Sequence, residues 1–183
     1  MLNATLVTTT EELLQVHQLN QQNIKHNVDS GERAREGFVS WLYPVQLLMQ
    51  MHELAPSVIV KDGNDVIGYA LTTLKEAGSF HPDLVTMFRN LEAMKYKDRS
   101  LFSYRFYCMG QICVAKEYRG KGIVGMLYQK HKDIYSAGYD FILTEISTSN
   151  YRSIKAHKKI GFTPVYTYKD AMDEWVVVIW DWN

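Results

Sequence analysis

The residues best placed to carry out chemistry in this chain lie between Ile112 and Gly125. There an apolar run gives way to a charged turn and then to three glycines that open a predicted helix. Glycine lets the backbone approach an anion closely because no Cβ intervenes, and the free N–H groups at a helix N-terminus favour negative charge. Such a segment is typical of a site for the phosphates of a nucleotide-like cofactor. The residues predicted to bind them are Arg119, Gly120, Lys121, Gly122, Ile123, Val124 and Gly125.

The spacing of these glycines also matches the dinucleotide fingerprint G-x-G-x-x-G, and Glu145 follows at about the distance at which that motif places an acidic residue. However, charged and polar residues separate the apolar run from Gly120, and the chain after Gly125 is too short to complete a doubly wound sheet. The loop also lacks the Gly-Lys-Ser/Thr ending of the NTPase phosphate loop. A nicotinamide-dependent oxidoreductase is therefore a disfavoured alternative.

A second group of polar side chains, between Thr144 and Phe162, follows after one predicted helix and one predicted strand. Glu145 is a carboxylate near the strand end, where it could take a proton from a substrate or make a structural hydrogen bond. Asn150 is a favoured N-cap for the next helix. His157 lies on the inward face of that helix, where a packed core histidine is more typical than a catalytic one. The residues alone leave both interpretations open.

Together, the two segments resemble the GNAT superfamily of acyl-CoA-dependent N-acetyltransferases. Residues 119–124 are similar to that family's pyrophosphate loop, Arg/Gln-x-x-Gly-x-Gly/Ala, and residues 150–162 are similar to its Asn-x-x-Ala-Ile-x-Leu-Tyr-x-Lys-x-Gly-Phe segment. Two departures from the family pattern matter. Val124 stands where the loop has Gly or Ala, and His157 stands where the family commonly has the tyrosine that serves as general acid.

The resemblance implies an α+β fold in which one mixed, mostly antiparallel sheet of about six to seven strands carries helices on both faces. The two central strands are expected to splay apart, with the pantetheine arm of acetyl-CoA lying in the gap. This arm would bond to the open backbone edge of Ile112, Cys113 and Val114, as an added strand does. Asn150 and Ser153 complete the cofactor-binding residues that the resemblance implies.

The activity that the resemblance implies is transfer of an acetyl group from acetyl-CoA to a primary amine by direct attack in a ternary complex, without a metal. Glu145 is predicted to be the base, because family members that modify protein N-termini place a glutamate at the same spacing. His157 is predicted to be the acid, and a backbone N–H near Val114 would stabilise the oxyanion. The acceptor is a small-molecule, peptide or protein amine. The alternative is a non-catalytic acyl-CoA-binding or sensing module on the same fold.

Composition indicates one globular domain over residues 1–183. Hydrophobic residues make up 46% of the chain and the formal net charge is zero, so no basic footprint suggests a nucleic-acid or membrane partner. Cys108 and Cys113 lie five apart in one predicted strand and are expected to point to opposite faces, which disfavours a disulfide or a shared metal. The N-terminus has no signal-peptide pattern. We expect a cytoplasmic protein with reduced thiols, and a homodimer is an open alternative.

Hydrophobic periodicity places the elements in the order strand, helix, helix, hairpin, strand, helix, strand, helix and two strands. Residues 29–37, rich in charge and glycine, are predicted to be a loop. Residues 78–102 are predicted to be an insertion with a helix between His81 and Met94. This insertion carries more apolar residues than a solvated connection needs, so it either covers the acceptor end of the cleft or packs on the sheet or on a second subunit.

Overall fold

Seven strands form the central sheet of the structure. The structure is a computed structural model, and it describes residues 1–182 apart from the side chains of residues 32 and 34. Residue 183, the last of the predicted domain, lies outside the described residues. The strands are β1 (Leu2–Leu6), β2 (Val58–Asp62), β3 (Asp65–Thr73), β4 (Lys95–Tyr96), β5 (Arg99–Ser100), β6 (Phe106–Val114), β7 (Phe141–Ser147), β8 (Thr163–Lys169) and β9 (Glu174–Asp181). The sheet order is β1-β2-β3-β6-β7-β9-β8, and β4 and β5 form a separate hairpin. Only the β6–β7 pair of the sheet is parallel.

Helices cover both faces of the sheet, as predicted. They are α1 (Thr10–Asn23), α2 (Ser30–Glu36), α3 (Val45–Leu54), α4 (Pro82–Glu92), α5 (Ile123–Tyr135) and α6 (Tyr151–Ile160). On one face, Leu13 of α1 and Leu48 of α3 share a core cluster with Tyr69 of β3. On the other face, Leu127 of α5 packs in a cluster with Ile142 of β7. Burying one apolar side of α1, α3 and α5 against the sheet confirms the α+β class.

A capping box fixes the start of α1. The Thr9 hydroxyl accepts the Glu12 N–H at 3.2 Å, and the Glu12 carboxylate accepts the Thr9 N–H at 3.2 Å. These two bonds satisfy donors that the first turn of a helix leaves unpaired. The same carboxylate accepts from Lys61 Nζ at 2.7 Å, which ties α1 to β2. These bonds therefore fix the N-terminus of α1 against the sheet.

The two central strands separate, as predicted. β6 and β7 pair in parallel only between residues 106–108 and 141–143, although β6 continues to Val114 and β7 to Ser147. Beyond Cys108 each strand keeps its outer partner, β3 for β6 and β9 for β7. The facing edges consequently diverge and leave backbone N–H and C=O groups directed into a gap at the centre of the sheet.

A β-bulge in β6 corrects the prediction for the two cysteines. The register against β3 shifts by one residue between the Ala70–Ile112 and Thr72–Met109 pairs, so β6 carries an extra residue there. An extra residue reverses the alternation of side chains. Cys108 and Cys113 therefore both point to the face covered by α1, α3 and α4, where each is buried as a free thiol.

Two connections differ from the prediction. Residues 29–37, predicted as a loop, contain α2, which the Asp29 carboxylate helps to begin by accepting the Gly31 N–H at 2.9 Å. The 78–102 insertion contains the predicted helix as α4, with His81 as its N-cap, and also the short β4–β5 hairpin. Lys97 and Asp98 form that hairpin turn with positive φ angles, a geometry that is uncommon outside glycine and that sequence patterns rarely signal.

A buried histidine joins α5 to the sheet. His131 Nε2 lies 3.1 Å from the Ala70 carbonyl oxygen, which can only accept, so Nε2 carries the proton. Nδ1 then accepts a hydrogen bond from the Tyr107 hydroxyl at 2.9 Å. Burial lowers the pKa of His131 to about 4, so the ring stays neutral near pH 7.

We expect His131→Phe to lower the free energy of unfolding at pH 7 by about 1–3 kcal/mol, because the Tyr107 hydroxyl and the Ala70 carbonyl lose their partner. The gap to the wild type should shrink as the pH falls from 6.5 to 4, since in that range the unfolded wild-type histidine takes up a proton that the folded one refuses. Urea unfolding at several pH values measures both effects.

The matched control is Tyr107→Phe, which removes one hydrogen bond and keeps the histidine. Its destabilisation, about 1 kcal/mol, should be constant from pH 7 to 5. If the gap between the wild type and His131→Phe does not change with pH, the buried neutral state of His131 is wrong.

Candidate active site

Two cavities open on the gap between β6 and β7 and meet inside it. The first, of about 480 Å³, runs from Ile112 and Val114 to the glycines at the start of α5 and is called the glycine-loop cavity here. The second, of about 320 Å³, contains Glu145 and is called the carboxylate cavity. Both are lined by Phe38, Val39, Ile112, Asn150, Ser153 and His157. A molecule bound in one cavity can therefore contact a molecule bound in the other.

The glycine loop has the geometry of an anion cradle. Gly120 and Gly122 have φ angles of +77° and +81°, in the left-handed region that side chains disfavour. A Cβ at either position would have no heavy atom within 4 Å, so the loop surface is open to a ligand. The first helical hydrogen bond of α5 runs from the Met126 N–H to the Gly122 carbonyl, which leaves the N–H groups of residues 122–125 without a partner inside the helix.

Arg119 lines this cavity but is held by protein groups. Its guanidinium donates to the Asn23 Oδ1 atom at 2.5 Å and to the Val114 carbonyl at 3.3 Å, and it lies 3.8 Å from the Glu36 carboxylate. Its charge therefore stays at the cavity while its position is fixed. The Lys121 side chain is exposed, its Nζ atom lies 5.0 Å from the centre of the Tyr118 ring and it does not line the cavity, so its contact with a phosphate stays a prediction.

Three cations of α6 line the same cavity. Arg152, Lys155 and Lys159 recur at the spacing that places residues on one face of a helix. Together with Arg119 they outnumber Glu36, the acidic residue of the cavity wall. A site with this charge suits a polyanion such as a phosphorylated cofactor. Sequence reasoning missed Arg152 and Lys155, although their helical spacing was a visible signal.

The open edge of β6 offers backbone groups to the gap. The Ala115 N–H donates to the Ile67 carbonyl in the neighbouring strand. Because an antiparallel ladder alternates its hydrogen-bonding direction, Ile112 and Val114 direct their N–H and C=O groups toward the gap, and Cys113 directs its own toward β3. Of the three predicted positions, Ile112 thus directs both backbone groups to the gap, and Val114 directs its N–H there, while the Val114 carbonyl accepts from Arg119. Cys113 lines the cavity and buries its side chain in the core.

Glu145 has the environment expected of a base. Its Oε1 atom is buried and has no hydrogen-bond partner in the described part of the chain. Burial raises its pKa to about 7, against the lowering effect of a hydrogen bond from Tyr168 and with a further increase from the negative Asp170. A carboxylate with a pKa near the working pH can both take and release a proton.

His157 is brought to the gap, but both of its ring nitrogens are engaged. Nδ1 lies 2.7 Å from the Ser153 carbonyl oxygen and therefore carries the proton, and Nε2 accepts from the Tyr128 hydroxyl at 2.5 Å. Burial lowers the pKa of His157 to about 4. The ring is thus neutral and has its one N–H turned to the backbone of its own helix, a geometry that does not favour the predicted acid role.

A segment that sequence reasoning missed crosses the gap. Phe38 to Trp41 lines the carboxylate cavity, and its ends are tied to the site by polar side chains. The Asn150 amide, which also caps α6 by accepting the Ser153 N–H at 3.2 Å, donates to the Phe38 carbonyl at 2.9 Å. Gln111 of the β6 bulge donates to the Trp41 carbonyl at 2.7 Å. No local sequence pattern signals this segment, because its role depends on distant partners.

The insertion also reaches the site. Asp83, Thr86 and Met87 of α4 line the carboxylate cavity, while Phe88 and Leu91 of the same helix are buried in the core. One face of α4 therefore lines the cavity and another packs in the core, while the role of the insertion as a cover for the acceptor stays a prediction.

A model of the acetyltransferase (GNAT) family matches residues 32–162, which include the glycine loop, the gap and α6. The chain belongs to the acetyltransferase (GNAT) family. No curated protein matches the sequence significantly. The family model covers most of the elements around this GNAT site, from α2 to the end of α6.

Solved structures share the fold of this GNAT domain at low identity. The ribosomal-protein-S18-alanine N-acetyltransferase of Escherichia coli is 11% identical, with a TM-score of 0.65 over 99% of this chain and 94% of that one. A chain of the NatC complex bound to Gag peptide and CoA is 14% identical, with a TM-score of 0.65 over 100% and 99%. The YncA protein of Salmonella typhimurium, solved with its cofactor acetyl-CoA, is 14% identical, with a TM-score of 0.61 over 100% and 94%.

The described residues of this GNAT domain contain neither a candidate metal-binding group nor a membrane-spanning helix. No group of three or more histidine, cysteine, aspartate or glutamate side chains within residues 1–182 could hold a metal ion. No helix in the same range is both long enough and apolar enough to cross a membrane.

Replacing Gly122 by Glu tests the anion cradle of this GNAT site. The new side chain would place a carboxylate where the free N–H groups of α5 point, and would strain a left-handed backbone position. We expect acetyl-CoA binding to be lost in isothermal titration calorimetry while the circular dichroism spectrum of the folded protein is kept.

Gly63→Glu is the matched control. Gly63 also has a positive φ angle and open space around its Cβ position, but it lies in the β2–β3 turn outside both cavities. It carries the same strain and the same charge change. Equal loss of acetyl-CoA binding in both variants, or in neither, would contradict the cradle.

Proposed function

We propose that this protein is an acetyl-CoA-dependent N-acetyltransferase that transfers an acetyl group to a primary amine by direct attack in a ternary complex. One observation carries the proposal. The gap between β6 and β7 joins a cavity with a glycine cradle and four cationic side chains to a cavity with the Glu145 carboxylate, whose buried Oε1 atom has no hydrogen-bond partner in the described residues. The first suits a phosphorylated acyl carrier, the second suits an amine that must lose a proton, and the two meet at Ile112.

The residues of the glycine-loop cavity fit acetyl-CoA. The N–H groups of residues 122–125 and the side chains of Arg152, Lys155 and Lys159 would hold its phosphates, with Arg119 as a fixed charge behind them. The backbone of Ile112 and Val114 would bond to its pantetheine arm. The solved structures with acetyl-CoA or CoA support this choice of co-substrate.

Glu145 is proposed to take the proton from the amine. An ammonium group cannot attack, and α-amines and lysine-type amines have pKa values of about 7.7–8.0 and 10.4. A carboxyl with a pKa of about 7 is largely ionised just above neutral pH and is close in basicity to an α-amine. The free Oε1 atom inside the carboxylate cavity supports this role, because no protein group competes for it within the described residues.

The N–H groups that β6 directs into the gap at Ile112 and Val114 are proposed to stabilise the negative charge that develops on the thioester oxygen. The thiolate that leaves needs a proton less urgently, since a thiol with a pKa of about 8.5 is already a good leaving group. We therefore propose that His157 holds Tyr128 and α6 in place. The acid role predicted from the sequence stays a prediction that the variant below tests.

A second candidate function is an acyl-CoA-binding or sensing module without transferase activity. The features of the glycine-loop cavity are equally compatible with such a module and with an enzyme. The Glu145 carboxylate favours the enzyme. Its buried Oε1 atom has no hydrogen-bond partner in the described residues and its pKa is raised to about 7, and a sensor gains nothing from burying such a group. Acetyl-CoA binding without acetyl transfer to any amine would favour this second function.

Glu145→Gln should lower kcat about 10²–10⁴-fold, the usual contribution of a general base, while acetyl-CoA affinity changes little. In the wild type, kcat/KM should rise as the pH increases through about 7, because Glu145 must be ionised to act. The variant should lack this rise, and the difference in rate should shrink at high pH, where free amine needs no base. Steady-state kinetics from pH 5.5 to 10 measure it.

Glu174→Gln is the matched control. Glu174 begins β9, accepts the Thr148 hydroxyl at 2.8 Å and lies outside both cavities, so its replacement should leave kcat within about twofold. A small, pH-independent effect of Glu145→Gln would return Glu145 to a structural role.

His157→Phe should lower kcat about tenfold or less, because the ring packs against Tyr128 and Phe162 and the leaving group needs little help. Its melting temperature should fall, since the Tyr128 hydroxyl loses its acceptor. Stopped-flow and calorimetric measurements separate the two effects. A loss above 10³-fold in a variant that stays folded would support the acid role.

A further inference from the structure

The carboxylate cavity has three walls that come from different parts of the chain. Segment 38–41 forms one side, α4 forms the second, and the turn between β8 and β9, at residues 170–172, forms the third. Its volume of about 320 Å³ is that of a small-molecule site, with Glu145 inside it. A folded protein surface cannot enter a space of this size, but a small amine or the first residue of a peptide can.

The walls are mainly apolar and aromatic. The side chains that give this character are Phe38, Trp41, Tyr43, Met87, Tyr168 and Met172. Trp41 and Tyr43 pack edge to face with ring centroids 4.2 Å apart, which holds both rings in place. Such a surface gains free energy from an apolar group and offers a face to a cation. It offers little to a sugar or another strongly polar body.

The charges of the cavity are all of one sign. Asp83, Glu145 and Asp170 line it, and no lysine or arginine of the described residues does. Lys25 does not line the cavity; its Nζ atom lies 5.1 Å from the centre of the Phe38 ring and is paired with the Asp173 carboxylate at 3.3 Å. His157 is neutral, with its only N–H bonded to the Ser153 carbonyl. An anion in this cavity would be desolvated without a cationic partner.

We propose, on the basis of the acetyltransferase function above, that the acceptor is a primary amine attached to an apolar or aromatic body with no carboxylate or phosphate beside the amine. The negative cavity attracts such an amine in its cationic form, the apolar walls bind its body, and Glu145 lies beside its nitrogen. Free amino acids and phosphorylated amines are rejected by the missing cation. The glycine-loop cavity shows the contrast, because it has four cations for a ligand with phosphates.

Two sources have this chemistry: a small aryl- or alkylamine, and a peptide whose N-terminal residue is apolar. Both carry an amine on an apolar body, and a peptide has its first carboxyl group neutralised as an amide. The experiment therefore uses one aromatic body in three forms. Phenylalaninamide and the peptide amide Phe-Gly-Gly carry a neutral amide group beside the amine. Phenethylamine carries no group there, and phenylalanine carries a carboxylate.

The measurement is kcat/KM for each amine with saturating acetyl-CoA, corrected for the fraction of free amine at each pH. We expect phenylalaninamide to exceed phenylalanine by about 10²-fold or more, because the carboxylate is buried unpaired. Phenylalaninamide should also exceed glycinamide by at least about tenfold, because glycinamide lacks the apolar body. A peptide amide at least tenfold better than phenethylamine identifies a peptide source, and the reverse identifies a small amine.

Met172→Arg tests the missing cation directly. Met172 is exposed at the β8–β9 turn and lines the cavity, so an arginine there can reach a carboxylate beside the amine. We expect the preference for phenylalaninamide over phenylalanine to fall at least tenfold. Met49→Arg is the control, because Met49 is an exposed methionine of α3 outside both cavities and should leave the preference unchanged.

The outcomes separate this inference from the proposed function. If phenylalanine is acetylated as fast as phenylalaninamide, or glycinamide as fast as phenylalaninamide, the proposed acceptor class is wrong. The acetyltransferase function would stand in either case. Transfer to none of the amines, with acetyl-CoA binding seen by calorimetry, overturns the transferase function and the acceptor class together. An unchanged preference in Met172→Arg, in a protein that is folded and active, overturns the electrostatic argument for the class.

Discussion

The loss of hydrogen bonding between β6 and β7 after Cys108 is the constraint on which the rest of the structure depends. The bulge in β6 turns this strand away from its neighbour, and Gly110 is the residue that permits it. A Cβ at residue 110 would lie 2.7 Å from the Tyr43 hydroxyl and closer still to Thr73, so only glycine fits. Because both strands keep their outer partners, the sheet tolerates an opening at its centre that would otherwise leave many backbone groups unsatisfied.

The opening is held by polar side chains that reach across it. Gln111, next to Gly110 in the bulge, accepts the Tyr69 hydroxyl at 2.5 Å and donates to the Trp41 carbonyl, while Asn150 donates to the Phe38 carbonyl on the other side of the gap. These bonds suspend segment 38–41 between β6 and α6. The segment thereby lines both cavities where they meet, through Phe38 and Val39, and its aromatic residues shape the one that contains Glu145. A buried polar network of this kind fixes one arrangement because every broken bond leaves an unpaired group.

The electrostatics of the two cavities follow from the elements that supply them. Helix α6 and the glycine loop bring cations and free N–H groups to one side, and β7, α4 and the β8–β9 turn bring carboxylates to the other. Burial then acts on the groups between them: it raises the pKa of Glu145 and lowers that of His157. The same desolvation produces a carboxylate with a higher affinity for protons and a neutral histidine with both ring nitrogens hydrogen-bonded, so it changes the acidity of the two groups in opposite directions.

The sequence by itself determined the local elements and the chemistry that short motifs encode. Periodicity predicted the strands and helices of the sheet, and the spacing of Gly120, Gly122 and Gly125 predicted the anion cradle, because glycine conformation and helix N-termini are local properties. What only the tertiary structure decided was whatever depends on distant partners. The bulge at Gly110 reversed the expected facing of Cys108 and Cys113, segment 38–41 became a wall of the site, and both nitrogens of His157 were engaged by Tyr128 and Ser153. Apart from the Ser153–His157 bond, which lies within α6, each of these depends on contacts between residues far apart in the chain, and no local pattern of residue types records them.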